Sequence, residues 1–293
     1  MSSVTVARKP TTWARVGKTW APVVPFVAWV VLFLGIPAAA VIIGAFQKPG
    51  GGFTMANVNI ATEGVYMTGF ENSLKMALLT SIVPAVAGTL LAYAIHTSRG
   101  TFLRRVCVTA SGVFANFGGV PLAFMFIATL GLTGIGTQWL NDLSINLYNH
   151  GFTLYSFEGV ALVYMYFQIP LMVLVTLPAL EGLRLAWREA AENLGAHSWQ
   201  YWRHVGIPVL MPAILGSTLL VFGFGLSAYA TADALTAGTI ALTPIQIGSF
   251  LNGNVLAGQE NVGKALALGL IAISAIAMVA YVVLQRRASR WLR

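Results

Sequence analysis

The residues able to do chemistry are few and scattered. The 293-residue chain has four histidines, one cysteine and nine acidic side chains. His96, His150, His197 and His204 form no H-E-x-x-H pair. His197 and His204 stand seven apart, but Arg203 lies between them and no acidic cluster completes a metal site. Cys107 has no second cysteine to pair with. A phosphate loop of the form G-x-x-x-x-G-K-S/T is absent. We therefore expect no catalytic residue, no metal and no cofactor held by this chain, which leaves a membrane-embedded enzyme without equipment.

One segment is built for contact. Residues 181–212 read EGLRLAWREAAENLGAHSWQYWRHVGIPVLMP. Leu183, Trp187, Ala190 or Ala191, and Leu194 recur near i, i+4, i+7, which predicts a short amphipathic helix from Leu183 to Leu194. Arg188, Glu189, Glu192 and Asn193 project elsewhere. Gly195 falls where a helix end wants positive φ. Ser198 is expected to cap a second short helix through Trp199–His204, and Pro208 to mark the start of the next one. A helix–turn–helix of this kind presents a rigid knob to another protein. The same residues also fit an amphipathic helix lying among lipid headgroups, anchored by Trp199, Tyr201 and Trp202.

The elements that must hold this segment are membrane spans. Charged residues are 9% of the chain and hydrophobic ones 57%, with a mean hydropathy of +0.76. An ordinary soluble domain carries about 25% charged residues. Six continuous apolar runs, 22–46, 73–95, 107–131, 158–180, 207–231 and 263–285, are each near the roughly 20 helical residues that cross a bilayer. Their continuity excludes a transmembrane β-barrel, whose strands alternate. The fold class is an all-α integral membrane protein. It divides into a basic N-terminus (1–21), a first span with its following loop (22–72), a core of spans (73–285) containing the 181–206 loop, and a basic C-terminus (286–293).

Charge sets the orientation. Arg8, Lys9, Arg15 and Lys18 precede the first span; Arg99, Arg104 and Arg105 lie between spans two and three; Arg184, Arg188 and Arg203 between four and five; Arg286, Arg287, Arg290 and Arg293 after the sixth. Only Lys48, Lys75 and Lys264 remain for the other side. The positive-inside rule then places both termini and the 181–206 loop in the cytoplasm. A cleaved signal peptide ending near Ala38-Ala39-Ala40 competes for the first run, but apolar sequence continues through Val41-Ile42-Ile43, and a retained helix fits better. The arginine cluster at the C-terminus can contact anionic lipid or simply orient the last span. A net charge of +8 on such a chain concerns the bilayer and is no sign of nucleic acid.

Polar groups in or near spans are costly, by about 2.5–3.5 kcal/mol for a central charge, and so mark candidate pathways. Asn116 and Gln168 lie within spans three and four, Glu158 and Asp233 at the outer ends of spans four and five, and Tyr164 and Tyr166 flank Gln168. The two carboxylates could guide a cationic solute and the tyrosines could offer cation–π contact. The plainer reading is helix-end charges in water and interfacial aromatics. Gly223 and Gly225 read as close helix packing.

The segment Glu189-Ala190-Ala191, three residues, Gly195, nine residues, Val205-Gly206-Ile207-Pro208 resembles the EAA loop of ABC importer permeases, whose pattern is E-A-A, x3, G, x9, I-x-L-P. Val205 and Ile207 depart from it conservatively. The likeness extends over residues 70–290. Residues 187–212 and Asn72-Ser73-Leu74 are most similar to the type I branch that includes spermidine/putrescine permeases, with relatives for ferric iron, thiamine and aminoethylphosphonate. The resemblance implies that the loop is a coupling helix docking on an ATPase. Glu189 would be a polar anchor, Ala190 and Ala191 would allow close approach, and Gly195 would set the turn. Leu194, His197 and Trp199 would make further contacts, beside Pro208 of the motif. It also implies two ATP-binding subunits that bind ATP and Mg, a second permease that is a paralogue, an extracytoplasmic solute-binding protein, and a polyamine-like solute crossing the bacterial inner membrane. The alternative is a secondary transporter without an ATPase partner, yet neither an inverted repeat nor a buried charge pair supports it.

Overall fold

The computed structural model describes residues 23–98, 100–253 and 257–289. Arg8, Lys9, Arg15, Lys18, Arg99, Arg290 and Arg293 lie outside the described residues. Within them the chain folds into α1 (Val24–Ala45), α2 (Ala56–Ala61), α3 (Gly64–Thr97), α4 (Thr101–Asn116), α5 (Gly119–Leu130), α6 (Ile135–Asp142), α7 (Phe157–Glu181), α8 (Leu185–Asn193), α9 (Ser198–Tyr201), α10 (Ile207–Ser227), α11 (Ala230–Thr236), α12 (Thr243–Leu251) and α13 (Val262–Ser289). No strand occurs among the described residues. Six stretches are long and apolar enough to cross a membrane: Val24–Ala45, Gly64–Thr97, Gly119–Asp142, Phe157–Glu181, Ser198–Ser227 and Val262–Arg287.

The number and order of spans match the sequence reading, but three differ in shape. The apolar run at 107–131 is not one helix. It breaks at Phe117–Gly118 because Gly119 takes φ +73°, which glycine adopts at little cost. Pro121 then falls in the first turn of α5, where a missing N–H leaves no bond unmade. The run at 207–231 stops at Ser227, and the chain turns before α11. The second span begins at Gly64 rather than near residue 73. Its 34 residues make about 51 Å of helix against about 30 Å of hydrocarbon.

Two helices loosen at the same local sequence. A π-turn at Val31–Gly35 precedes Ile36-Pro37, and another at Trp202–Gly206 precedes Ile207-Pro208. A proline ring clashes with the carbonyl four residues back and cannot donate to it, so the turn before it widens.

The centre is α7, packed by α3, α4 and α10. Small residues permit the approach. A Cβ on Gly88 of α3 would sit 2.6 Å from Met172 Cβ and 2.9 Å from the Ile169 carbonyl oxygen of α7. A Cβ on Gly225 of α10 would sit 2.6 Å from Thr80 Oγ1 and 3.1 Å from Ala77 Cα of α3. Gly223 faces open space, so Gly225 alone bears the packing expected of that pair.

The two ends of the bundle are tied differently. At one end Asn72 Nδ2 donates to the Ala241 carbonyl (3.0 Å), the Thr243 amide donates to Ser73 Oγ (2.9 Å), and Asn57 and Asn261 both donate to the Gln47 carbonyl (2.8 and 2.9 Å). Lys48, Lys75 and Lys264 belong to this end. At the other, Arg104 pairs with Glu181, and Tyr93 meets Trp202 edge-on with ring centroids 5.3 Å apart. Arg105, Arg184, Arg188 and Arg203 lie on the elements at this end.

Candidate functional site

The loop that carries the motif is held locally. Helix α8 starts at Leu185, two residues later than the periodicity implied. Leu183 lies before it and packs into the apolar cluster around Leu180 and Leu210. At its far end Gly195 has φ +78°. The Gly195 amide donates to the Glu192 carbonyl and the Ala196 amide to the Ala191 carbonyl, both at 2.9 Å. This is the Schellman arrangement, and it requires the left-handed residue at this position. Side-chain space is free around Gly195, so its constraint is conformational alone.

The second helix does not begin as expected. Ser198 is its first residue and His197 is the N-cap. Gln200 Oε1 accepts from the His197 amide at 2.8 Å, which closes the turn in place of a serine hydroxyl. His204 Nδ1 lies 2.9 Å from the Gln200 carbonyl oxygen. From there the π-turn leads into α10, with Pro208 in its first turn. Trp202 sits against Tyr93 and Tyr201, and a Cβ on Gly206 would come within 2.5 Å of its ring. The loop is thereby fastened to the ends of both α3 and α10.

No side chain of α8 is buried. Leu194 is 89% exposed, and Leu185 and Trp199 are each 68% exposed. Trp187, Ala190, Ala191 and Leu194 line a groove of about 420 Å³ shared with Val205 and Val209. Arg188 holds Glu192 at 2.9 Å, and the Arg184 guanidinium lies 5.8 Å from the Trp187 ring centre. Glu189 is exposed, with no hydrogen bond or ion pair among the described residues. The motif glutamate is therefore the free anion of a helix whose other charges are engaged.

The polar residues read from the spans are not one cluster. Tyr164 and Gln168 share a face of α7 and are both fully buried. Tyr164 donates its hydroxyl to the Ala228 carbonyl at 2.7 Å, in the break between α10 and α11. Both polar atoms of the Gln168 side chain lack partners among the described residues. Thr80 and Gly225 lie beside it, a neighbourhood that no local sequence pattern announces. Tyr166 packs against Phe114 and Phe126 instead.

Asn116 is exposed at the end of α4 and donates to the Gly112 carbonyl at 2.8 Å. Glu158 is exposed in the first turn of α7. Asp233 is not on the fifth span but on α11, where it is half-buried. There its carboxylate raises the Tyr229 phenol above its ordinary value. The break that moves Asp233 also brings Thr231 Oγ1 to 3.3 Å from the Gly119 carbonyl, so the two interrupted spans touch at their breaks.

Comparison with known proteins adds to this geometry. The sulfate transport system permease protein CysT of Escherichia coli K12 is 28% identical over 62% of this chain and 63% of its own length. The ferric transport system permease protein FbpB of Actinobacillus pleuropneumoniae is 26% identical over 80% of this chain and 34% of its own. The spermidine/putrescine transport system permease protein PotB of Haemophilus influenzae is 24% identical over 87% and 89%. The match thus spans less than two thirds of the CysT and FbpB chains. Among solved structures, a bacterial ABC transporter involved in import of the acidic polysaccharide alginate contains a chain that superposes with a TM-score of 0.74 at 18% identity, covering 94% of this chain and 98% of that one. A second structure of the alginate transporter, in complex with an alginate pentasaccharide-bound periplasmic protein, gives the same score at 17% identity. Residues 85–290 match a family model, and the chain belongs to that family, the binding-protein-dependent transport system inner membrane component.

Proposed function

We propose that this chain is the permease subunit of an ATP-driven, binding-protein-dependent importer, in which α8 carries movement of an ATPase to the membrane helices. The observation that carries the reading is the state of α8. It is capped at its C-terminal end, buries no side chain, offers a Glu189 unpaired among the described residues, and is followed by Trp202, which packs on Tyr93 of α3 and in the cluster around Leu210 of α10. A push on such a helix is transmitted to the bundle rather than absorbed by a slack loop. Ala190 and Ala191 line the groove beside it, where larger side chains would hold a partner away. His197 and Trp199 extend the same surface.

The partners in this reading are two ATP-binding subunits holding ATP and Mg, a paralogous permease, and an extracytoplasmic solute-binding protein. The arginine-rich end of the bundle faces the cytoplasm, and both termini with it, following the positive-inside rule. The solute is small. Relatives are named for sulfate, ferric iron and spermidine/putrescine, and the last of these aligns over the largest share of this chain among the three. A polyamine-like cation is accordingly the first solute to test. Tyr164 and Gln168 are the pathway residues favoured by burial; Asn116, Glu158 and Asp233 serve the mouths. A secondary transporter without an ATPase is not favoured by the family.

The test is isolation of the full chain from its native membrane in mild detergent, with every partner identified by mass spectrometry. An ATP-binding subunit and a second permease are expected. A chain that comes down alone across several detergents contradicts the reading.

A further inference from the structure

A cleft of about 640 Å³ lies between the start of α4 and the end of α7, away from the α8 surface. Its mouth carries Thr101, Arg104, Arg105 and Glu181; its walls below are Val108, Leu174 and Leu177. Arg104 is held by Glu181. Arg105 is exposed, and it makes no hydrogen bond or ion pair among the described residues. The cleft is thus cationic at one end and apolar at the other.

Depth decides what fits. Glu181 is twelve residues from the middle of α7 at Ile169, about 18 Å along the helix. Half the hydrocarbon thickness is about 15 Å. The arginines therefore stand at headgroup level and Leu174 stands among acyl chains. A soluble phosphate would meet the mouth but leave the apolar walls unfilled. A basic pocket between membrane helices, continued by an apolar slot, has the shape and charge of an anionic phospholipid. The geometry points to a binding site for one such lipid, its phosphate on Arg105 with Arg104 beside it, and one acyl chain along Val108, Leu174 and Leu177. The site fixes α4 against α7 next to the base of the 182–206 loop. It rests on the cleft and not on the ATPase assignment.

The test uses the full-length chain, alone and in the complex with which it is isolated, in mixed micelles of detergent with phosphatidylglycerol or phosphatidylcholine of the same acyl chains. Retained lipid is counted by native mass spectrometry. Phosphatidylglycerol is expected to be retained over phosphatidylcholine, and Arg105→Gln to lower its retention about fivefold. Val108→Trp, which fills the apolar wall, is expected to lower retention with the charge unchanged. Excess inorganic phosphate should not displace the lipid. Equal retention of the two lipids, or wild-type retention by Arg105→Gln, overturns the site. Displacement by inorganic phosphate overturns the lipid in favour of a free anion, and loss of selectivity in the isolated complex assigns the cleft to a partner chain. Arg105 has no partner to lose among the described residues, so its variant decides the question even where Val108→Trp fails to fold.

Discussion

The 182–206 loop and the interior of α7 are opposites. The loop is shaped by neighbours within a few residues: Gly195 to Glu192, Ala196 to Ala191, His197 to Gln200. Leu185, Leu194 and Trp199 face outward, while Leu183 and Trp202 anchor the loop to the bundle. The interior of α7 is shaped by residues far away in sequence, through Tyr164 to Ala228 and the Thr80–Gly225 approach beside Gln168. Its polar side chains face inward. The first region is an exposed surface that, under the proposed function, a partner would cover. The second is a packed interior in which the Gln168 amide is unsatisfied among the described residues. Under the proposed function the loop couples and the interior of α7 conducts, so the difference would separate the two jobs by location.

The largest effect should come from breaking the loop. Gly195→Pro removes the amide that bonds Glu192 and cannot adopt φ +78°, a local cost of about 3 kcal/mol. Solute uptake is expected to fall by more than about tenfold, while membrane insertion is unchanged because α8 buries nothing. Glu189→Lys should act in the same direction by reversing the free charge. Normal uptake by both variants in a transport assay would remove the coupling role.

A packing change should affect the bundle instead. Gly225→Ala forces a methyl against Thr80 Oγ1 and the Ala77 backbone, with an expected loss of about 1–3 kcal/mol in thermal unfolding. Gly223→Ala, facing open space, should leave the melting curve in place. The same shift from both variants would mean that α10 does not pack on α3 through Gly225.

Gln168→Leu sharpens the contrast further. It deletes two buried, unpartnered polar atoms and should raise stability by about 1–2 kcal/mol. If the amide serves the pathway, uptake falls even as the protein becomes more stable. A variant that is more stable and fully active makes Gln168 an ordinary core residue. The smallest effect concerns Tyr229. The Asp233 carboxylate favours its neutral hydroxyl, so its folded-state pKa is raised above the ordinary 10.0. The contribution is present below that ordinary value and is lost as pH rises through the raised one. Alkaline unfolding should show this loss in the parent chain and lack it in Tyr229→Phe.

What the sequence displayed and what it concealed follow the same division. The glycine at the end of α8 was readable because a Schellman turn is a short-range demand on one backbone angle. The six spans were readable because hydropathy over about 20 residues is local too. The break at Phe117–Gly118 left a trace in Gly118, Gly119 and Pro121, yet apolar composition on both sides hid it. The cap at His197 was misread as Ser198 because the closing group is the Gln200 side chain, not a hydroxyl. The Arg104–Glu181 pair joins positions 77 apart and the Tyr93–Trp202 contact spans two helices, so neither has a local signature. Asp233 looked like the end of a span because the apolar run passes through the turn at Ala228.

The central claim is that α8 meets an ATPase. Its most direct test is photo-crosslinking in the native membrane, with benzoyl-phenylalanine placed at Leu194, 89% exposed on the loop, and as a control at Phe124, 61% exposed on the fifth helix. The account predicts a crosslink from position 194 to an ATP-binding subunit and none from position 124. A complex that is intact yet yields lipid adducts alone from position 194 would place α8 among headgroups and contradict the coupling assignment.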